Sequence, residues 1–279
     1  MVHFVGAGPG APDLITIRGA ELLRKADVII YAGSLVNPAL LDGRKPGCEL
    51  HDSAAMTLEE IISVMEAAEW AGKDTVRLHS GDPCLYGAIR EQTDALDRRG
   101  IAWDDTPGVS SFCGAAAALG VEYTPPGISQ SVILTRISGK TPVPKEENFR
   151  TLAAHGVSMA VFLSAGMLEE VQAELLAGGG YHADTAAAIV YKATWEDEKI
   201  VHCTVGTLAE AGKRAGIQKT ALILAGDFLS DAARGRSKLY DPAFETEYRR
   251  AICTPLTRNF HGKESGEWDC TPLGTCICP

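Results

Sequence analysis

From its second residue the chain alternates short apolar runs with segments of helical period: "VHFVGAG", "RGAELLRKA", "DVIIYAG", then an amphipathic stretch from Thr57 to Trp70. Consecutive parallel strands need a crossover long enough to carry a helix, so this rhythm predicts an α/β fold whose first sheet is mainly parallel. The Thr57–Trp70 helix is the best defined. Leu58, Ile61, Ile62, Met65 and Ala68 recur at helical spacing, and Thr57 with Glu60 forms a capping-box pair. A strand "TVRLHS", a helix from Leu85 to Arg98 and the small-residue helix "SSFCGAAAALG" complete a first domain over residues 1–120.

"YTPPGISQ" follows as a linker, 121–130, because its prolines and glycine stop a helix from running through. A second α/β domain is expected over 131–240, with strands "SVILTR", "MAVFLSAG", "AAAIVYKAT", "KIVHCTV" and "TALILAGDF". Only the charged "WEDE" separates the third and fourth of these, so they read as a hairpin and make the second sheet mixed. Residues 241–279 lack periodicity and read as a disordered tail.

The formal charge of −10 opposes nucleic-acid binding, which relies on Lys and Arg neutralising phosphates. No run of eighteen apolar residues occurs and no basic segment precedes the first strand, so the expectation is a cytoplasmic protein without membrane association. Of eight cysteines, Cys48, Cys84, Cys113 and Cys203 fall in apparent core segments. Cys253, Cys270, Cys276 and Cys278 crowd the tail without the paired spacing of a zinc site, and no metal is expected.

Two corners carry the chemistry. In "GAGPGAPDLIT", Gly6, Gly8 and Ala11 fit a G-x-G-x-x-A dinucleotide fingerprint. Pro9 and Pro12 remove backbone donors, however, and the second strand ends without the acid that grips a ribose. A tight turn made of glycines for steric reasons and a loop that a ligand approaches closely both remain open. In "HSGDPCLYGAIREQ", Asp82 stands at the carboxyl end of a strand, where open α/β sheets collect ligands. It either caps the following segment or binds a ligand's hydroxyl, amine or cationic group. "TPGVSSFCGAAAALG" places Ser110 and Ser111 at a helix amino terminus able to receive a polar ligand.

Together, "VGAGPGAPDLIT", "LHSGDPCLYGAIREQ", "PGVSSFCGAAAALGVEYTPPG", "MAVFLSAG" and the "KATWEDEKIVHCTV" hairpin resemble the tetrapyrrole methylases, from about residue 2 to 230. "DVIIYAGSLVNPALL" and "HDSAAMTLEEI" look most like the branch that methylates carbon 11 of precorrin-4 or cobalt-precorrin-4 in cobalamin biosynthesis. The resemblance implies two α/β domains, with S-adenosyl-L-methionine held between them and the tetrapyrrole in a trough of the first. It also implies S-adenosyl-L-homocysteine as product, and a homodimer. Carried over by position, donor contacts fall on Pro9, Ser80, Gly81, Asp82, Leu85, Ser110, Ser111, Leu163, Ser164, Ala193, Thr220 and Ala221. Ser80 stands where uroporphyrinogen enzymes often have a second glycine, which argues against that branch.

Methyl transfer from a sulfonium to carbon is an in-line displacement that needs alignment and exclusion of water rather than a protein nucleophile. No Ser-His-Asp or HExxH pattern is present, and His79 reads as a packed strand residue. A polycarboxylate substrate requires local cations, for which Arg18, Arg90, Arg136 and Lys140 are candidates; Tyr31, Gly33 and Ser34 are the other substrate-side positions. Asp52 is the one candidate proton acceptor, and equally a helix-capping acid. The alternatives are another tetrapyrrole methylase, acting on uroporphyrinogen-III or a different precorrin, or a non-catalytic nucleotide-binding module.

Overall fold

A computed structural model describes residues 1–230 and 236–251. The described residues up to Ser230 belong to one compact unit, and those from Arg236 onward to a second.

Five parallel strands form the first sheet: β1 (Val2–Gly6), β2 (Val28–Tyr31), β3 (Glu49–Asp52), β4 (Thr75–His79) and β5 (Trp103–Thr106), in the order β3-β2-β4-β1-β5. Helices α1 (Ile17–Lys25), α2 (Leu58–Trp70), α3 (Arg90–Asp97) and α4 (Ser111–Leu119) follow in chain order. Side chains alternate across the strands. Val2, Phe4, Val28 and Ile30 pack with Ile61, Ile62 and Met65 of α2 and Leu96 of α3, while Val5, Ile29, Val76 and Leu78 pack with Leu23 of α1. The expected capping box at α2 is present, with Thr57 Oγ1 accepting from Glu60 N and Thr57 N donating to Glu60 Oε2.

The edge strands β3, "ELHD", and β5, "WDDT", escape the sequence reading because they are short and polar. The helix expected from Leu85 is also corrected. It starts at Arg90, because Tyr86 (φ 57°) and Ala88 (φ 49°) are left-handed and Gly87 folds its backbone against Pro83. Cys84 and Cys113 are exposed, so their placement in core segments is corrected as well.

The second sheet contains β6 (Val132–Thr135), β7 (Ser158–Val161), β8 (Ala186–Tyr191), β9 (Lys199–Thr204) and β10 (Ala221–Ala225), in the order β6-β7-β10-β8-β9. Only the β6–β7 pair is parallel, and β8–β9 is the expected hairpin. Helices α5 (Phe149–Ala153), α6 (Leu168–Gly178) and α7 (Leu208–Ala215) cover one face. The other face is covered by α4, whose Phe112, Ala115, Ala116 and Leu119 pack with Ala160, Val190 and Leu224. A helix that follows the first sheet in sequence therefore lies on the second, and this joins the two sheets. The connection after α4 is anchored too: buried Tyr123 donates its hydroxyl to Phe112 O, and its carbonyl accepts from Ser158 Oγ.

Within 236–251, Arg249 donates through Nη2 to the carbonyls of Leu239, Asp241 and Phe244. Thr246 and Arg249 also exchange backbone hydrogen bonds. The tail cysteines lie outside the described residues.

Candidate active site

The turns after β1, β4 and β5 meet at a junction too tight for side chains. Gly8 and Gly81 exchange backbone hydrogen bonds, and a Cβ on Gly6 would lie 2.5 Å from Gly108 Cα. Gly8 is left-handed at φ 81°. The glycines of the "GAGPG" turn thus admit neighbouring backbone, which favours the steric reading over a pyrophosphate cradle. The loop is held from three directions. Asn37 Nδ2 donates to Gly10 O (3.0 Å), Trp195 Nε1 to Pro9 O (3.2 Å), and Ala11 N to Thr194 Oγ1 (2.9 Å). The last two bonds cross from the first sheet's loop to the β8–β9 turn.

Beside this junction, between the sheets, opens a cavity of about 810 Å³. It sits beyond the carboxyl ends of β1, β2 and β4, where ligands bind in open α/β sheets. Eleven of the twelve positions taken from the resemblance line it: Pro9, Ser80, Gly81, Asp82, Leu85, Ser110, Ser111, Leu163, Ala193, Thr220 and Ala221. Ser164 does not. It is fully buried, donating to Phe162 O (2.7 Å) and accepting from Ile137 N (3.1 Å).

Asp82 works within the wall itself. Its Oδ1 accepts from Cys84 N (2.8 Å) and its Oδ2 from Gly108 N (2.9 Å). Burial raises its carboxyl pKa, but hydrogen bonds from Cys84 and Gly108 outweigh that and hold it below the ordinary value. Ser110 precedes α4 and makes no side-chain capping bond, so its hydroxyl stays uncommitted at a helix amino terminus that borders the cavity.

Of the substrate-side candidates, Ser34 lines the cavity, whereas Tyr31, Gly33, Arg18, Arg90 and Lys140 do not. Arg90 is exposed and pairs with Asp94 at 2.9 Å. Arg136 clamps its own loop, donating to Thr141 O and Pro142 O, and borders a separate hollow that it shares with Tyr86. Asp52 caps the turn Ser53–Ala55, accepting from Ala54 N and Gly33 N at 2.9 Å each. Those bonds lower its pKa, and they show Asp52 in the capping role.

The cations that do reach the cavity are Arg77, Lys192 and Lys219, with Asp82 the sole carboxylate of the lining. An acidic chain thus presents a locally positive wall. Lys192 is engaged by Asp197 (2.7 Å) and stands over the Trp195 ring (4.9 Å). Arg77 and Lys219 lie outside the motifs of the resemblance, and Arg77 looks like an ordinary alternating strand position; Lys192 opens the "KATWEDEKIVHCTV" hairpin, where nothing marks it as a cavity cation. Four lining residues, Tyr86, Leu163, Lys192 and Thr220, hold left-handed backbones between 47° and 57°. Each such residue costs roughly 1–3 kcal/mol, and strain of this kind collects at functional sites.

Among the described residues no cluster of three His, Cys, Asp or Glu could hold a metal, and no helix is long and apolar enough to cross a membrane.

Residues 1–209 match the family described as Tetrapyrrole (Corrin/Porphyrin) Methylases. A cobalt-precorrin-4 C(11)-methyltransferase of Methanocaldococcus jannaschii is 52% identical over 250 residues, covering 90% of this chain and 96% of that protein. The X-ray structure of a cobalt precorrin-4 methyltransferase, a cobalamin biosynthetic enzyme, superposes with a TM-score of 0.80 at 47% identity, over 82% of this chain and 95% of the other. A uroporphyrin-III C-methyl transferase from Thermus thermophilus, complexed with S-adenyl homocysteine, superposes with a TM-score of 0.69 at 26% identity, over 82% and 93%.

Proposed function

The chain belongs to the tetrapyrrole methylase family, and from that premise we propose that it transfers a methyl group from S-adenosyl-L-methionine to carbon 11 of precorrin-4 or cobalt-precorrin-4 in cobalamin biosynthesis. The observation that carries this reading is the 52% identity to a C(11)-methyltransferase across 90% of the chain, a span long enough to take in both sheets.

The cavity is of a size and polarity suited to the donor. Its Ser80–Asp82 corner and the amino terminus of α4 offer polar groups, while Leu85, Leu163, Val190, Ala193 and Leu222 offer an apolar surface with little bulk. When bound, S-adenosyl-L-methionine supplies a methyl group on a positively charged sulfur, ready for displacement. The protein aligns and encloses the reactants. The glycine junction fixes the wall to within backbone contact, and the Pro9–Trp195 and Ala11–Thr194 bonds hold the two sheets at one spacing around the cavity. Leu163 and Tyr86 stand on left-handed backbone at its margin. A homodimer is the proposed assembly, and light scattering of the purified protein tests it.

Incubation with carbon-13 methyl donor and either form of precorrin-4 tests the function. The expected result is one new methyl resonance at carbon 11, with release of S-adenosyl-L-homocysteine. Methylation of uroporphyrinogen-III in preference to both precorrins would overturn it.

A further inference from the structure

Arg77 is a buried cation without a counter-charge. It occupies the middle of β4, the central strand of its sheet, and is 7% exposed. Among the described residues no carboxylate lies within ion-pairing distance of its guanidinium. Neutral groups hold part of it: Nε donates to Gln92 Oε1 (3.1 Å), and Nη1 to Ile30 O (3.3 Å) and Ser53 Oγ (3.1 Å). Those bonds fix the plane of the fork. Nη2 makes none to the described chain, and Arg77 forms part of the cavity wall. Burial lowers its pKa only to about 10, so it stays charged at neutral pH.

His79 lies two residues along on the same face of β4, is 6% exposed and also lines the cavity. Its Nε2 is buried without a hydrogen-bond partner. Buried polar atoms are nearly always satisfied, so two neighbouring groups with spare hydrogen-bonding capacity on one wall mark a place where a ligand completes the bonding. The Ser34 hydroxyl borders the same cavity. A fixed guanidinium edge matches a carboxylate, and a neutral imidazole carrying its proton on Nε2 adds a further donor.

We propose that Arg77, with His79 beside it, anchors a carboxylate of a bound reactant. Two sources share this chemistry: an acid side arm of the tetrapyrrole, or the amino-acid carboxylate of the methyl donor. The inference rests on the methyltransferase reading, and it places a carboxylate-binding charge on β4, in the cavity wall that Arg90 does not reach.

Arg77→Met, which keeps length and removes charge, is compared with the wild type in thermal midpoint, S-adenosyl-L-homocysteine affinity by calorimetry, and KM for precorrin-4. In a folded variant one constant is expected to weaken ten- to a hundredfold, and to recover partly in Arg77→Lys, which restores the charge. A raised KM with unchanged S-adenosyl-L-homocysteine affinity identifies the tetrapyrrole as the source, and a weakened affinity identifies the donor. Both constants within twofold of wild type would overturn the proposal, as would a loss in Arg77→Met that Arg77→Lys shares in full. Should Arg77→Met fail to fold, nitrogen-15 spectra of arginine side chains in the unaltered protein decide. The Arg77 Nη signals must shift on adding S-adenosyl-L-homocysteine or precorrin-4, and unchanged signals with both overturn it. Wild-type turnover of precorrin-4 is measured alongside, so failure of the function and failure of the anchor are distinguishable.

Discussion

Asp82 accepts the backbone N–H of Gly108 at 2.9 Å, and so ties the turn after β4 to the turn after β5. Its other oxygen accepts from Cys84 N, so one carboxylate fixes two stretches of cavity wall. Asp82→Ala is therefore expected to loosen the site as well as weaken donor binding. Hydrogen bonds to a charged group are each worth about 1.5–3 kcal/mol, and partial exposure brings the expected total to about 1–3 kcal/mol of stability. Because the folded carboxyl pKa is lowered, this contribution is present above about pH 4 and fades as pH falls through the folded value. Urea titration with calorimetry checks both effects. A full-strength donor site in the alanine variant would show that the wall holds without this acid.

Gly108→Ala tests the junction itself. The added methyl would lie 2.7 Å from Gly6 Cα and nearer still to the Gly81 carbonyl oxygen, both backbone atoms with no rotamer to yield. Overpacking of this kind costs about 1–3 kcal/mol, and here the strands themselves must move. A lowered midpoint in differential scanning calorimetry is expected, with weakened S-adenosyl-L-homocysteine binding. A midpoint equal to wild type would mean the three turns have slack.

The second sheet was readable because its strands are apolar runs, and "WEDE" is too short for anything but a hairpin turn. The first was readable only at its centre. "ELHD" and "WDDT" gain their strand conformation from pairing with β2 and β1, a tertiary effect that leaves no local pattern. The helix over-read from Leu85 fails for a similar reason, since the left-handed Tyr86 and Ala88 depend on Gly87 closing against Pro83. At the site, most positions carried over from the resemblance line the cavity, but the choice of Arg18, Arg90, Arg136 and Lys140 for lying beside the motifs missed the cations that line it. Arg77 is hidden as the polar member of an alternating strand, Lys219 lies on a turn without a motif, and Lys192 opens the "KATWEDE" hairpin turn, whose charges read as solvated.

His79 ties stability to pH. Burial, and then the charge of Arg77, push its pKa from 6.5 down to about 3. The unfolded chain takes up the proton below about pH 6.5 while the folded chain refuses it, so this contribution to stability is complete above that pH and is lost as acid is added. The slope reaches at most about 1.4 kcal/mol per pH unit. His79→Phe keeps an aromatic ring beside Phe4 (centroids 6.0 Å apart in the wild type) and is expected to flatten the dependence between pH 6.5 and 5. Urea melts across that range give the slopes, and parallel curves for the two proteins would refute the assignment.

Thr194→Val tests the link between the glycine loop and the β8–β9 turn. Valine preserves shape and β-branching, so the strain at φ 69° is unchanged, but Ala11 N loses its acceptor at 2.9 Å. An unsatisfied N–H costs about 1–3 kcal/mol. Amide exchange at Ala11 is expected to accelerate more than at strand amides such as Val5. Uniform acceleration across the unit would point to general destabilisation instead.

Ala193→Trp asks whether the space between the sheets is the donor's. Ala193 is 6% exposed, packs with Ala160 and Leu222, and lines the cavity, so an indole there must enter the cavity or distort the core. Entry into the cavity abolishes S-adenosyl-L-homocysteine binding at little cost to stability. Distortion costs about 1–3 kcal/mol and lowers the thermal midpoint by several degrees. Because the lining carbons of Ala193 and Ala221 leave open volume while Gly10 is already covered by Trp195, the indole is expected to take the cavity. Midpoint and affinity are measured on the same preparation. Lost affinity with a midpoint within a few degrees of wild type supports the placement, and undiminished affinity in the folded variant moves the donor out of this cavity.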